Sequence, residues 1–249
     1  MFDVLFETVQ DGDERYISWL LSGLGWTVSL AVAGWILAFV LGVVIGCGRT
    51  TSNRAIASAS RLYVEVFRNI PIIVQMFLWY FVLPELLPAS WGSAMKQWAP
   101  PWGAFVPALI ALALYTGARV AEQVKAGIEA LPYGQRSAAR ALGMTELQVY
   151  RSILLPQALR IILPTLTSEV MGIFKNTSVA LTIGLLELTA QARQINEFTF
   201  KTFQAFGAAT LLYLGLALCV FVLMHALELQ VRIPGNEPRA AHRRFFFIK

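Results

Sequence analysis

The sequence predicts an all-α fold, a polytopic bundle of membrane-spanning helices, from three observations. Of the 249 residues, 57% are hydrophobic and 14% are charged, with a mean hydropathy of +0.60, which is far too apolar for an ordinary soluble domain. Long apolar runs recur, and a helix needs about 20 such residues to cross a bilayer. Basic residues cluster in alternate connecting segments, which is typical of polytopic membrane proteins. We therefore predict one domain, residues 1–249, with five transmembrane helices.

Five apolar runs define the predicted helices in chain order. They cover residues 27–46, 70–83, 102–118, 161–186 and 205–227. The first run is the clearest, and we expect the preceding SWLLSGLG to form a short interfacial turn. The second run is too short to span alone. It becomes long enough only if the preceding RLYVEVFRN is also helical, and either protrudes from the membrane or packs on other helices.

The distribution of charge predicts the orientation of these helices. Segments 48–70 and 118–163 carry four and six basic residues against one and three acidic residues, and the tail from residue 228 carries five against two. Segments 85–106 and 187–206 are balanced, and the N-terminus is acidic. Basic segments of membrane proteins are retained in the cytoplasm. We therefore expect the N-terminus outside and the C-terminus in the cytoplasm, with no cleaved leader before the first helix.

The longest cytoplasmic segment contains the stretch SAARALGMTELQVYRSILLP, residues 137–156. Its first residues are strong helix formers, and Gly143 suits the left-handed residue that ends a helix. Thr145, with Gln148 three residues later, forms a capping-box pattern that starts a second helix. An aliphatic stripe then recurs at helical spacing, at Leu147, Tyr150, Ile153 and Leu154. A solvated connector would need neither the small residues nor this stripe, so we interpret residues 130–158 as a helix–turn–helix surface on which another protein docks.

This stretch resembles the EAA loop of permeases from ATP-binding cassette (ABC) importers. In that loop Glu-Ala-Ala is followed by three residues, Gly, nine residues and Ile-x-Leu-Pro, and the same spacing occurs here. The departure is Ser137, which stands where the family commonly has glutamate, so a salt bridge from that glutamate to the ATPase is not carried over. The resemblance implies a coupling helix that docks on the ATPase. The corresponding residues are Ser137, Ala138, Ala139, Gly143, Ile153, Leu155 and Pro156.

Other stretches extend the resemblance to permeases of polar amino acid uptake along nearly the whole chain. FRNIPIIVQ, LPQALR and KNTSVALTIGLLEL are similar to signatures of that family, while GARVAEQV and VRIPGN look closest to glutamate/aspartate permeases. The resemblance implies a type I ABC importer fold in the bacterial inner membrane, with two permease subunits around a central path. It also implies a dimer of ATP-binding subunits, a periplasmic solute-binding protein and a second similar permease, with a heterodimer favoured over a homodimer. The expected cargo is glutamate or aspartate, or alternatively glutamine, arginine or histidine.

Ionisable residues inside the predicted spans are candidate path residues. Such groups are costly in a bilayer and normally face a bundle interior, a cavity or a partner. Arg119 and Glu122 follow the third run, where many amino acid permeases resemble Ala-Tyr-x-x-Glu. An arginine in place of that tyrosine would line the path and favour acidic cargo. The alternative is an ion pair between Arg119 and Glu122 at i,i+3 spacing. The residues alone leave both interpretations open.

The fourth run carries the other candidates, Glu169, Lys175, Asn176, Thr177 and Ser178. Glu169 and Lys175 would pair with each other or with neighbouring helices, although six residues of separation place them on different faces. The succession KNTS supplies a cation, an amide and two hydroxyls, and a locally unwound helix would offer these groups near the bilayer midplane. The alternative is hydrogen bonding between helices by these side chains.

What the sequence lacks narrows the function classes. It contains no GxxxxGK[ST] phosphate loop, so we expect a transport subunit rather than an enzyme, with ATP and Mg²⁺ on the partner ATPase and no cofactor on this chain. It has no cluster of metal ligands, and Cys47 and Cys219 lie in apolar runs, so no metal site or disulfide is expected. The basic tail RRFFFIK is expected to bind membrane lipid rather than nucleic acid. An ion-coupled secondary transporter, which usually shows internal repeats, and a non-conducting assembly subunit are the alternatives.

Overall fold

The computed structural model describes residues 3–9 and 14–231, and within these ranges it is helical without a β-sheet, as predicted. The α-helices are α1 (Tyr16–Thr50), α2 (Arg54–Asn69), α3 (Ile72–Phe77), α4 (Leu83–Leu86), α5 (Ala89–Lys96), α6 (Trp102–Glu129), α7 (Tyr133–Ala141), α8 (Glu146–Val149), α9 (Leu155–Asn176), α10 (Leu188–Thr199) and α11 (Thr202–Val231). Two 3-10 helices cover Asp3–Phe6 and Thr177–Ile183, and π-helical turns cover Leu78–Val82 and Tyr150–Leu154. The basic tail predicted to bind lipid lies outside the described residues.

Helix α1 begins earlier than the sequence predicts. It runs for 35 residues and includes SWLLSGLG, so the predicted interfacial turn is wrong. The reason is tertiary contact, because Gly23 packs directly on the start of α10. A Cβ atom built on Gly23 would lie 2.9 Å from the Cα atom of Leu188. This close approach holds the first turns of α1 in helical form against the bundle.

Helices α1 and α6 lie against each other in parallel. Gly34, Gly42 and Gly46 of α1 face Leu112, Val120 and Val124 of α6, so each contact joins residues 78 positions apart. A constant difference in residue number means that both helices run in the same direction. If both cross the membrane, the chain between them must cross back.

That return crossing is made by a sharply bent helix pair. The segments Arg54–Asn69 and Ile72–Leu86 meet at an angle of 103°, and the break between them lies at Ile70 and Pro71. Proline lacks a backbone N–H and cannot continue the helical hydrogen bonds. The side-chain amide of Gln75 closes the break by donating to the carbonyl oxygens of Phe67 and Ile70, at 2.8 and 3.0 Å. By sequence, the second apolar run is long enough to span only if the preceding RLYVEVFRN is helical, and α2 confirms that it is.

The two remaining crossings alternate in direction. Gly127 of α6 packs on Ala158 and Ile162 of α9, while Arg119 contacts Glu169, so α9 runs antiparallel to α6. The start of α11 packs beside the start of α1, where Ala205 and Ala208 join Tyr16 and Leu20 in one apolar cluster. Helices α1, α6 and α11 thus share one direction, while α9 and the bent segment between α1 and α6, taken from its start to its end, return in the other. We call the side where α1 begins the N-terminal face and the side where it ends the C-terminal face.

The α1–α6 contact generates a stability prediction. A Cβ atom on Gly42 would lie 2.5 Å from the Cβ atom of Val120 and 3.0 Å from the carbonyl oxygen of Gly117. We expect Gly42→Leu to lower the free energy of unfolding by about 1–3 kcal/mol, because overpacking forces the helices apart. Gly25→Leu is the matched control, since no atom lies within 4 Å of its Cβ position. Thermal unfolding in detergent compares the two, and equal melting temperatures would contradict this packing.

Candidate functional site

The loop 130–158 projects from the C-terminal face as a helix, a tight turn and a second helix. Gly143 has φ of 79°, the left-handed conformation expected after α7. The side chain of Thr145 accepts from the backbone N–H of Gln148, and the Gln148 side chain accepts in return from the backbone N–H of Thr145. The predicted turn and capping box are therefore confirmed.

The predicted docking residues of this loop divide between its two sides. Ala139 is buried and packs with Val149 and Leu154 in the cluster that joins the loop to the bundle. Ile153 and Leu155 pack against that same cluster, while Ser137, Ala138 and Pro156 are exposed. The small residues thus serve two purposes. Ala139 brings α7 close to the bundle, and the small side chains of Ser137 and Ala138 leave the outer surface of α7 without bulky groups.

The residues of the aliphatic stripe do not all lie on one side of the loop. Leu147 is 76% exposed, and Val149 takes the buried position instead. The stripe crosses the π-helical turn Tyr150–Leu154, in which hydrogen bonds run from i to i+5, so α-helical spacing does not hold along it. Tyr133 and Leu142, each 83% exposed, are the other large apolar residues of the loop that the structure leaves exposed.

Arg119 forms a two-point ion pair with Glu169 on the facing helix. Its Nε and Nη2 atoms lie 2.7 and 3.0 Å from the two carboxylate oxygens, and the side-chain amide of Gln123 donates to the same carboxylate at 3.0 Å. The Glu169 side chain is 9% exposed, while that of Arg119 is 45% exposed. The carboxylate is thus enclosed by donors, and part of the guanidinium remains open.

Glu122 belongs to a separate charge cluster. Its carboxylate binds Arg49 at the end of α1 and lies 3.4 Å from Arg68 at the end of α2. The ion pair between Arg119 and Glu122 that the i,i+3 spacing allowed is therefore wrong. Residues three apart on a helix are neighbours, but here tertiary partners on other helices provide closer and better-directed charges.

Lys175 pairs with neither Glu169 nor any other carboxylate in the part of the chain that the structure describes. Its side chain is exposed, in the last turn of α9. Of the two alternatives for Glu169, the structure shows pairing with a neighbouring helix, through Arg119. Glu169 and Lys175 do not pair with each other, because six residues of an α-helix turn their side chains to different faces. Lys175 is therefore the candidate path cation whose charge the described residues leave unbalanced.

The helix changes form at KNTS. The α-helical hydrogen bonding ends at Asn176, and Thr177–Ile183 forms a 3-10 helix that ends at Gly184 with φ of 87°. The hydroxyls of Thr177 and Ser178 donate back to the carbonyls of Phe174 and Lys175, at 2.7 and 2.8 Å. The alternative of hydrogen bonds between helices is wrong for these two hydroxyls, because their bonds are local.

The exposed face of α9 differs from the other exposed helix faces. Thr165, Ser168, Gly172 and Lys175 follow one another at helical spacing and are exposed or half-exposed. By contrast, the exposed residues of α1 and α11 are large and apolar, including Val32, Ile36, Val40, Leu211, Leu214 and Leu218. Large apolar side chains suit contact with lipid. Small and polar side chains suit a helix interface or a water-filled path.

The sequence interpretation missed three residues to which the structure gives specific polar partners. Gln123 lies one turn from Arg119 on α6, and that spacing was the available signal. Arg136 of α7 reaches the end of α1, which no local pattern indicates. Glu187 is fully buried as the N-cap of α10 and accepts from the hydroxyl of Tyr213 at 2.8 Å. Burial raises the pKa of Glu187, and glutamate is not a preferred N-cap residue, so the sequence gave no sign of this role.

Comparison with known proteins assigns the family. Residues 38–233 match the family described as binding-protein-dependent transport system inner membrane component. The chain belongs to this family. It is 43% identical over 226 residues to the glutamate/aspartate import permease protein GltJ of Escherichia coli, which covers 90% of this chain and 92% of that protein. It is 31% identical to HisM of Salmonella typhimurium, a histidine/lysine/arginine/ornithine transport system permease, over 83% of this chain and 87% of that protein.

Solved structures agree with this assignment. A crystal structure of an amino acid ABC transporter with histidines is 31% identical, with a TM-score of 0.72 over 86% of this permease and 95% of that chain. An inward-facing methionine transporter, MetNI, has the same TM-score of 0.72 at 19% identity over 87% of this permease and 98% of that chain, and so shows the shared fold. The chain is thus an amino acid ABC importer permease of type I fold, a multi-pass inner-membrane subunit. The ATPase activity lies in a separate subunit.

The Arg119–Glu169 pair predicts compensation between two substitutions in the permease. Arg119→Gln removes two donors from a nearly buried carboxylate, and we expect a loss of about 1–3 kcal/mol in the free energy of unfolding. The double change Arg119→Gln with Glu169→Gln removes the uncompensated charge and should recover most of that loss. Combining Arg119→Gln with Glu122→Gln is the control and should recover nothing. Thermal unfolding in detergent distinguishes them, and recovery in the control pair alone would contradict the observed partnership.

Proposed function

We propose that this permease imports acidic amino acids, glutamate and aspartate, along a path lined by the exposed face of α9. The observation that carries the proposal is the polar stripe from Thr165 to Lys175, which ends in an exposed cation without a described counter-charge. A bare cation in a membrane protein is costly unless an anion or water compensates it. An acidic amino acid supplies a carboxylate beyond the one that every amino acid carries. The similarity to a glutamate/aspartate import permease supports the same cargo.

The two cations of the proposed path have different roles. Arg119 is balanced by Glu169, and its exposed part adds a hydrogen-bond donor without a net local charge. Lys175 supplies a net positive charge. Its half-exposed neighbours Asn176 and Ser178 add an amide and a hydroxyl at the point where the helix changes to 3-10 form. We propose that Lys175 meets the carboxylate of the cargo and that Arg119, with Glu169 held in place, lines the path nearer the C-terminal face.

Substitution of Lys175 tests this proposal through uptake of radiolabelled amino acids by the reconstituted importer. A charge-assisted contact is worth about 1.5–3 kcal/mol, so Lys175→Gln should lower glutamate and aspartate uptake about ten- to a hundredfold. Lys175→Arg keeps the charge and should be intermediate. Lys96→Gln is the control, because Lys96 is an exposed cation already paired with Glu85. Unchanged glutamate uptake by Lys175→Gln, or uptake of arginine or histidine in preference to glutamate by the unaltered importer, would contradict the proposal.

We further propose the partners of this subunit. The exposed apolar side chains of the loop 130–158, Tyr133, Leu142 and Leu147, provide the contact with one member of an ATPase dimer that binds ATP and Mg²⁺. Loops at the N-terminal face receive a periplasmic solute-binding protein. The polar face of α9 is completed by a second, similar permease subunit, with a heterodimer favoured over a homodimer.

The proposed orientation places the N-terminal face in the periplasm and the C-terminal face in the cytoplasm. The charge distribution supports it, since the basic segments cover the end of α1 with the following α2, the end of α6 and the loop 130–158. Single cysteines at Ser93 and Gly134 test it in a background without Cys47 and Cys219. An impermeant thiol reagent should label Ser93→Cys in intact spheroplasts, and Gly134→Cys only after permeabilisation. Labelling of Gly134→Cys in intact spheroplasts would contradict the proposed orientation and indicate the opposite one.

A further inference from the structure

Arg136 connects the loop 130–158 to the end of α1. Its Nη1 atom donates to the carbonyl oxygen of Thr50 at 3.1 Å, and its Nη2 atom lies 3.0 Å from a carboxylate oxygen of Glu146. Thr50 is the last residue of α1, so its carbonyl has no acceptor role within that helix. The carbonyl ends of a helix also carry partial negative charge, which a guanidinium stabilises. Arg136 thus caps α1 from a neighbouring helix.

The same residue of α1 is contacted a second time from the loop. The hydroxyls of Thr50 and Tyr150 lie 2.9 Å apart. The guanidinium carbon of Arg136 lies 5.4 Å from the centroid of the Tyr150 ring, within the range of a cation–π contact. Side chains from α7 and the π-helical turn therefore converge on the C-terminal end of α1.

Apolar packing contributes little to holding α7 against the rest of the protein. Of its nine residues, only Ala139 is buried. The other polar contacts of α7 come from Gln135, which exchanges hydrogen bonds with Gln157 of α9 at 3.2 and 3.0 Å, and from Arg140, which contacts Glu146 at 2.5 Å and Ser52 at 3.5 Å. The Arg140 side chain is 43% exposed, against 21% for Arg136. Among the described residues, the side-chain hydrogen bonds from α7 to α1 and the segment after it come from these two arginines. Arg136 makes the shorter and more buried of them.

We propose that Arg136 is a positioning residue that makes α7 move as one body with the end of α1. Movement of the ATPase would then reach α1 directly, and through the close α1–α6 contact would reach the helix that carries Arg119. The proposal rests on ATPase docking at the loop 130–158, which is part of the proposed function. In this proposal Arg136 transmits movement, while the exposed residues of the loop make the contact with the ATPase.

Transport and ATP hydrolysis by the whole reconstituted importer test this role. In Arg136→Gln we expect the ATPase to stay bound and hydrolyse ATP, while the ratio of amino acid imported to ATP hydrolysed falls about tenfold, within the usual range of coupling between sites. Arg136→Lys keeps the charge but not the planar fork that reaches two partners, and should be intermediate. Arg61→Gln removes an exposed arginine of α2 and should leave the ratio unchanged. An unchanged ratio in Arg136→Gln would overturn the proposal.

A docking variant separates failure of this inference from failure of the proposed function. Gly143→Val places a β-branched residue at a positive φ and should release the ATPase in detergent. If Gly143→Val keeps its ATPase and its uptake, docking at this loop is wrong. If Arg136→Gln itself releases the ATPase, Arg136 belongs to docking and its positioning role is wrong.

A distance measurement tests the proposal without altering Arg136. Spin labels at Gly134→Cys on α7, where no atom lies within 4 Å of the Cβ position, and at Ser52→Cys after α1 report whether the two segments move together. Cys47 and Cys219 are replaced beforehand. With Arg136 present, the distance between the labels should be the same in the nucleotide-free and ATP-bound importer. A distance that changes between these two states would show independent movement and overturn the proposal.

Discussion

Gly34, Gly42 and Gly46 bring the backbone of α1 against α6, and the course of the remaining chain depends on this contact. Helices in lipid gain little from burying apolar surface, so close backbone approach and packing provide much of their association. The contact is parallel, which forces the connecting segment 51–101 back across the membrane. Once that crossing is made, α9 can lie antiparallel to α6, and α11 can return beside the start of α1. One stripe of small residues thereby sets the direction of every later crossing.

Charged residues in the spans follow a consistent rule. Glu169 is surrounded by donors from Arg119 and Gln123, and Glu122 is held by arginines from α1 and α2. Each of these two carboxylates thus joins two or three helices, because an unpaired charge in a low-dielectric interior is strongly unfavourable. Lys175 departs from this rule within the described chain. A departure at an exposed position on a polar helix face is the kind of feature that transport of an anionic cargo explains.

The loop 130–158 combines a rigid attachment with an open outer surface. Its inner side is held by Ala139 and by the contacts of Arg136 and Tyr150 with Thr50, while its outer side presents Tyr133 and Leu142. Ser137 replaces the glutamate that the EAA pattern usually places in this loop. The acidic group that organises the loop here is Glu146, which binds both Arg136 and Arg140. Shape and intramolecular charge together maintain a surface suited to coupling.

The sequence by itself determined the features that local chemistry controls. Hydropathy indicated five crossings, because the bilayer requires a minimum apolar length. Gly143 and the Thr145–Gln148 capping box were predictable because their conformations depend on neighbours in the chain. Tertiary structure decided which charges meet. The spacing of Arg119 and Glu122 suggested a local pair, yet each found its partner on another helix. It also decided that SWLLSGLG is helical and that Leu147 faces outward. The first outcome depends on the packing of Gly23 on α10, and the second accompanies a π-helical turn that breaks the α-helical spacing. Sequence spacing encodes neither.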